Sequence, residues 1–122
     1  MGIDFDGNKP IYQQLINRIS SEIIRGHRAV GGKLPSVREY ALEAGVNANT
    51  VQRVYRELEN MEIVETKRGQ GTFVTCNLNR LSDLREGMKL EFIQQFIRDM
   101  NDMGYSTEEM IEGIKSEGRG SK

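Results

Sequence analysis

The chain has 122 residues, of which 37% are apolar, and 17 Lys and Arg stand against 18 Asp and Glu for a formal charge of -1. That length allows one compact domain, or a small domain plus an appendage, and leaves no room for a large catalytic cleft between two domains. The balanced charge excludes a bulk attraction to nucleic acid or to an anionic membrane, so any such partner must be read by a local patch.

A single Cys (Cys76) excludes an intramolecular disulfide, and with a single His (His27) it excludes a His- or Cys-rich metal site within the chain. No cofactor is expected. No apolar run approaches the ~18 residues of a membrane span, and no signal-peptide pattern opens the chain. The expectation is a soluble, cytoplasmic protein without a membrane partner.

Ile3 and Phe5 alternate with Asp4 and Asp6 as a weak strand-like lead-in. Pro10 suits the first position of a helix. Tyr12, Leu15, Ile16, Ile19, Ile23 and Ile24 then follow at helical spacing, which predicts a first helix over residues 10–25 with Gly26 as its stop. Residues 27–35 hold Gly31, Gly32 and Pro35 and read as a loop. Ser36 with Glu39 forms a capping box for a second helix, lined by Tyr40, Ala41 and Ala44 and ended by Gly45. Asn47 caps a third helix to about Asn60, with Val51, Val54, Tyr55 and Leu58 as its inner stripe. Two β-prone runs, Ile63 to Thr66 and Thr72 to Val74, flank Lys67, Arg68, Gly69, Gln70 and Gly71 and predict a hairpin.

From about Leu81 the pattern is helical again. Leu84, Met88, Phe92, Phe96 and Met100 lie near one stripe, which Ile93 and Ile97 widen. Gly104 stops that helix. Ser106 and Glu109 form a second capping box, and Met110, Ile111 and Ile114 line a short last helix, with fraying expected over residues 118–122. The fold class is mainly α with a small β-hairpin (α+β). It divides into residues 1–76, with a helix-turn-helix at about 36–60 and a wing at about 63–75, and a two-helix region over residues 77–122.

Several chemistries fall away on spacing. Gly31, Gly32 and Lys33 resemble a phosphate loop, but His27 stands where the first Gly belongs and Leu34 where Ser or Thr belongs. Gly69 and Gly71 are followed by Val74 where a dinucleotide fingerprint wants its third Gly. His27 lies between Arg25 and Arg28 and Cys76 after an apolar run, so neither is set up as a nucleophile and base. No enzyme constellation appears.

What remains is a recognition pattern. Ala41, Gly45 and Val51 have the offsets of a helix-turn-helix: a small residue for close packing, a Gly for the turn, and an apolar lock. With the third helix's apolar stripe inward, Asn49, Gln52, Arg53 and Arg56 fall on its outward half. These residue types hydrogen-bond base edges and phosphates. Glu57 and Glu59 sit towards the flanks of that face. Three helices followed by a basic-tipped hairpin make a winged helix. Residues 25–71 hold eight basic against six acidic residues, so binding to DNA rests on the placement of charge rather than its sum. A winged helix that binds protein instead of DNA is the alternative.

The sequence resembles the GntR family of bacterial transcription regulators. The resemblance is carried by Pro10 to Leu15, Gly32 to Glu39, Val46 to Val51, Tyr55 to Glu59 and Arg68 to Val74. The segments Asn47-Ala48-Asn49-Thr50 and Gly69-Gln70-Gly71-Thr72-Phe73-Val74 look most like the YtrA subgroup. The resemblance implies that Arg38 and the residues opening the third helix contact an operator and that the wing glycines enter the minor groove. Ala48 stands where many members carry Arg, and Gln52 where a second Arg is frequent. Asn49, Gln52 and Arg53 are the substitutes. The DNA-binding set is Lys33, Ser36, Arg38, Asn47, Asn49, Thr50, Gln52, Arg53, Arg56, Lys67, Arg68, Gly69, Gln70 and Gly71.

Residues 76–122 are too few for the large effector domain of most such regulators. Their Met-containing apolar face needs a cover, because so large a stripe is not left exposed. The resemblance implies that it pairs with the same face of a second subunit through Leu84, Met88, Phe92, Ile93, Phe96, Met100, Met110, Ile111 and Ile114. The expected protein is a homodimeric repressor on a two-fold operator in double-stranded DNA. No residue pattern assigns an effector small molecule.

Overall fold

The structure is a computed structural model that describes residues 2–120. Its elements in chain order are α1 (Ile11–Ile24), α2 (Val37–Ala44), α3 (Ala48–Asn60), β1 (Val64–Lys67), β2 (Gly71–Val74), α4 (Leu78–Asp102) and α5 (Thr107–Gly120). Contacts group the residues up to Arg85 in one unit and those from Glu86 in another. No helix of the described residues is long and apolar enough to cross a membrane.

The first unit is built as its caps direct. Pro10 takes the cap position of α1 with an extended ψ of 138°, so the helix begins one residue after it. Ile3 and Phe5 form no strand, which corrects the expected lead-in. An alternating pattern becomes a strand only beside a partner, and here the Ile3 N–H donates to the Ala44 carbonyl at 3.2 Å. Gln14 fixes the turn between this segment and α1: its side chain accepts from the Asp6 N–H at 2.8 Å and donates to the Asp6 and Lys9 carbonyls at 2.7 and 2.8 Å.

α2 starts at the Ser36–Glu39 capping box and ends at Gly45, whose φ of 74° is left-handed. α3 starts at Asn47, whose Oδ1 accepts from the Asn49 N–H at 2.7 Å. The hairpin is antiparallel, with Val64 opposite Val74 and Lys67 opposite Gly71. Part of the expected loop at residues 27–35 pairs with the outer edge of β2. Leu34 donates to the Thr72 carbonyl at 2.8 Å, Val74 to Gly32 at 2.8 Å and Gly31 to Val74 at 3.0 Å.

Leu15, Ile19, Val51, Val54, Leu58, Ile63, Val64 and Val74 are buried at the centre of this unit. Each contributes about 1.5–3 kcal/mol by leaving water. Phe73, the apolar neighbour of Val74 on the strand, is only half-buried. Successive strand residues face opposite ways, so burying Val74 turns Phe73 outward, where the Lys67 ammonium lies 4.9 Å from its ring centroid.

α4 begins at Leu78 rather than near Leu81, because Asn77 caps it: Asn77 Oδ1 accepts from the N–H groups of Asn79 and Arg80 at 3.1 and 3.2 Å. In the second unit Gly104 takes a left-handed φ of 92°. Ser106 and Glu109 complete their reciprocal capping bonds at 2.9 and 3.2 Å. α5 continues through Gly120, so Gly118 and Arg119 are helical where fraying is expected, and Ser121 and Lys122 lie outside the described residues.

Candidate nucleic-acid interface

The outward face of α3 carries Asn49, Gln52, Arg53 and Arg56, all exposed as the helical phase predicts. Thr50, nearer the inner stripe, is half-buried. Asn47 is exposed, but its side-chain oxygen already serves the α3 cap. Ser36 is likewise engaged: its Oγ accepts from the Glu39 N–H at 3.1 Å while Glu39 accepts from the Ser36 N–H at 2.8 Å. Those two bonds, backbone first, hold the Glu39 carboxyl below the usual carboxylate range, and Lys33 adds to the effect. Glu39 is therefore an anion spent on the helix end, and the exposed Arg38 beside it keeps its charge for solvent.

The wing and the start of α2 face each other across a groove of about 520 Å³, lined by Lys33, Ser36, Lys67, Arg68, Gly69, Gln70 and Gly71 among others. Gly71 has a φ of +124°, and a Cβ there would stand 2.7 Å from Lys33 Cε. The glycine thus lets the Lys33 stem cross the wing. Gly69, at φ +78°, turns the hairpin with open space around it.

Ion pairs occupy several cations of the first unit. Arg28 and Arg18 share Glu22 at 2.8 and 3.8 Å, and Arg80 meets Glu62 at 3.4 Å. Among the described residues, Lys33, Arg38, Arg53, Arg56, Lys67 and Arg68 form no ion pair with a carboxylate. Cations left unpaired along α2, α3 and the wing suit a polyanion.

Two positioning residues escape the sequence reading because each sits at core spacing. The Tyr55 hydroxyl donates to the Pro35 carbonyl at 2.7 Å, tying the entry of α2 to α3. Burial pushes its phenol well above its usual range. Tyr12 on α1 lies under Arg53, with the guanidinium carbon 3.5 Å from the ring centroid.

The residues assigned to subunit pairing fall in different surroundings. Leu84, in the first unit, is 8% exposed, and Met110, in the second, is 3% exposed. Met88 and Met100 are half-buried. Phe92, Ile93, Phe96, Ile111 and Ile114 are open, at 56%, 45%, 39%, 48% and 58%. With Ile97, Thr107 and Met110 they line an apolar groove of about 430 Å³ within the second unit.

Residues 11–74 match the family model for bacterial regulatory proteins of the gntR family. The HTH-type transcriptional repressor YtrA of Bacillus subtilis (strain 168) is 40% identical over 116 residues, 93% of this chain and 88% of the relative. A solved GntR family transcriptional regulator from Listeria monocytogenes superposes with a TM-score of 0.83 at 39% identity, covering 92% of this chain and 98% of that one. The DNA-binding domain of AraR, solved in complex with operator ORX1, gives 0.56 at 27% identity, over 62% of this chain and 99% of its own.

Proposed function

This chain belongs to the GntR family of bacterial regulatory proteins, a family of transcription regulators rather than enzymes, and from that premise we propose that it is a cytoplasmic homodimeric repressor of a two-fold operator. The observation that carries the reading is the set of unpaired cations on α2, α3 and the wing. In this account Arg38, Asn49, Gln52 and Arg53 face base edges, and Lys33, Arg56, Lys67 and Arg68 hold phosphates. Ser36, Asn47 and Thr50 set the helix ends against the backbone, and Gly69, Gln70 and Gly71 bring the wing close to it. The solved AraR complexes, whose DNA-binding domain this chain resembles, support the operator as partner. YtrA, similar over nearly the whole chain, is named a repressor.

The second unit supports the dimer. Its open Phe92, Ile93, Phe96, Ile111 and Ile114 form a contiguous apolar face of the kind that marks an interface. In a two-fold pairing each contact counts twice. Domains assign accordingly: DNA binding to residues 1–76 and pairing to residues 77–122.

A gel shift with DNA from upstream of the chain's own gene tests the reading. If the dimer neutralises roughly 6–10 phosphates, binding falls ~10³–10⁵-fold between 50 and 200 mM salt. A salt response that stays flat contradicts it and favours a protein partner.

A further inference from the structure

We propose that Tyr12 is a positioning residue for Arg53. Its ring holds the Arg53 guanidinium as a preset fork for a bidentate acceptor on the operator, the edge of a guanine or a phosphate. The inference rests on the operator-binding reading above.

Tyr12 lies near the start of α1 and Arg53 in the middle of α3, so the two meet only through the fold. The guanidinium carbon stands 3.5 Å from the centroid of the Tyr12 ring, which is stacking distance. Arg53 forms no ion pair among the described residues, and the ring is what holds its head group. Stacking uses the face of the guanidinium and leaves the N–H donors on its edge free. Ile11, Tyr12, Asn49, Thr50 and Arg53 line one shallow recess of about 350 Å³, so the fork opens beside two polar residues of the first turn of α3. An exposed Arg otherwise loses rotamer freedom when it binds. A fork fixed before binding avoids that loss.

The chemistry explains why the cation over the ring is Arg. An ammonium has neither the planar face to stack nor the paired donors to bridge two acceptors. Hence Arg53→Lys keeps the charge and loses the device.

The test measures affinity for the operator fragment that the parent protects, and for its single-base-pair variants. Cation–π contacts correspond to about a 2- to 5-fold change in affinity while exposed, rising to about 30-fold once desolvated, as this one becomes beneath the operator. Tyr12→Ala and Arg53→Lys are each expected to weaken binding within that range. Tyr12→Phe keeps the ring and is expected to stay within about twofold of the parent. In an Arg53→Ala background, Tyr12→Ala should change nothing further, a result that a purely structural role for Tyr12 would not produce. Relaxed preference at one base pair identifies a guanine edge as the acceptor, and equal weakening on every sequence identifies a phosphate. Because Arg53 is exposed, Arg53→Lys reads the device even if Tyr12→Ala unfolds. Parent-like binding by Arg53→Lys or by folded Tyr12→Ala overturns the proposal. So do additive effects in the double variant, or equal losses in Tyr12→Phe and Tyr12→Ala. A parent that binds no DNA contradicts the operator reading itself, which is a separate outcome.

Discussion

The hydroxyl of Tyr55 donates a 2.7 Å hydrogen bond to the carbonyl of Pro35, across 20 residues of sequence. It joins α3 to the segment that enters α2, and both elements carry the proposed DNA contacts. Losing the bond by Tyr55→Phe is expected to cost about 1–2 kcal/mol, because a shielded carbonyl loses its partner. The pH dependence follows from the same burial, which raises the Tyr55 phenol and, to a lesser degree, that of Tyr40. Between about pH 10 and the raised folded value the unfolded chain ionises and the folded one does not. The contribution of these two phenols to stability is therefore level from neutral pH to about pH 10 and falls above it, and Tyr55→Phe should flatten that fall. Urea midpoints at fixed protomer concentration, measured from pH 8 to 11, check both parts.

Gly71 is expected to tolerate no side chain. Its φ of +124° penalises any L-residue, and a Cβ would press on the Lys33 stem at 2.7 Å. Gly71→Ala should destabilise by ~1–2 kcal/mol through the backbone. The Lys33 contact is with the far end of a flexible chain, so Lys33→Ala in the same protein should recover only a small part. Full recovery would place the cost in the clash instead of the φ angle.

Base reading and phosphate holding should separate by variant. If Arg38 reads a base, Arg38→Ala weakens operator binding by ~1–3 kcal/mol and relaxes preference at one position. Arg68→Ala at the wing tip should weaken all sequences alike and lower the salt slope by about one. Binding isotherms on operator and scrambled DNA at several salt concentrations distinguish them.

The elements of the first unit were legible because each end has its own chemistry. Ser36 with Glu39, Gly45 and Asn47 mark the two helices of the helix-turn-helix, and the structure places all of them at helix ends. The outward phase of Asn49, Gln52, Arg53 and Arg56 followed from the inward stripe. What periodicity does not show is which residue of a stripe has a polar errand. Tyr12 and Tyr55 read as core, yet one supports a guanidinium and the other ties a loop. Nor does local sequence show pairing at a distance, as when residues 31–34 join the edge of β2. The start of α4 precedes its periodic signal for a smaller reason: the cap at Asn77 comes before any apolar repeat, so that signal begins a turn late.

The apolar face of the second unit gives a direct prediction. Phe92 and Phe96 lie one turn apart and are 56% and 39% exposed. Burying each would contribute up to ~1.5–3 kcal/mol. Phe92→Asp with Phe96→Asp should sediment as a folded monomer, since neither side chain belongs to the buried set around Leu15, Val51 and Leu58. That monomer should lose most operator affinity, because one half-site offers half of the phosphate contacts. A double variant that stays dimeric moves the association elsewhere, and one that unfolds makes the face part of the chain's own core.

Two copies of α3 reading one symmetric operator should leave a dyad in a hydroxyl-radical footprint of the parent protein on its own upstream DNA. The predicted result is two protected patches related by a dyad, with centres about 10 base pairs apart or a multiple of that. A single patch without dyad symmetry would contradict it.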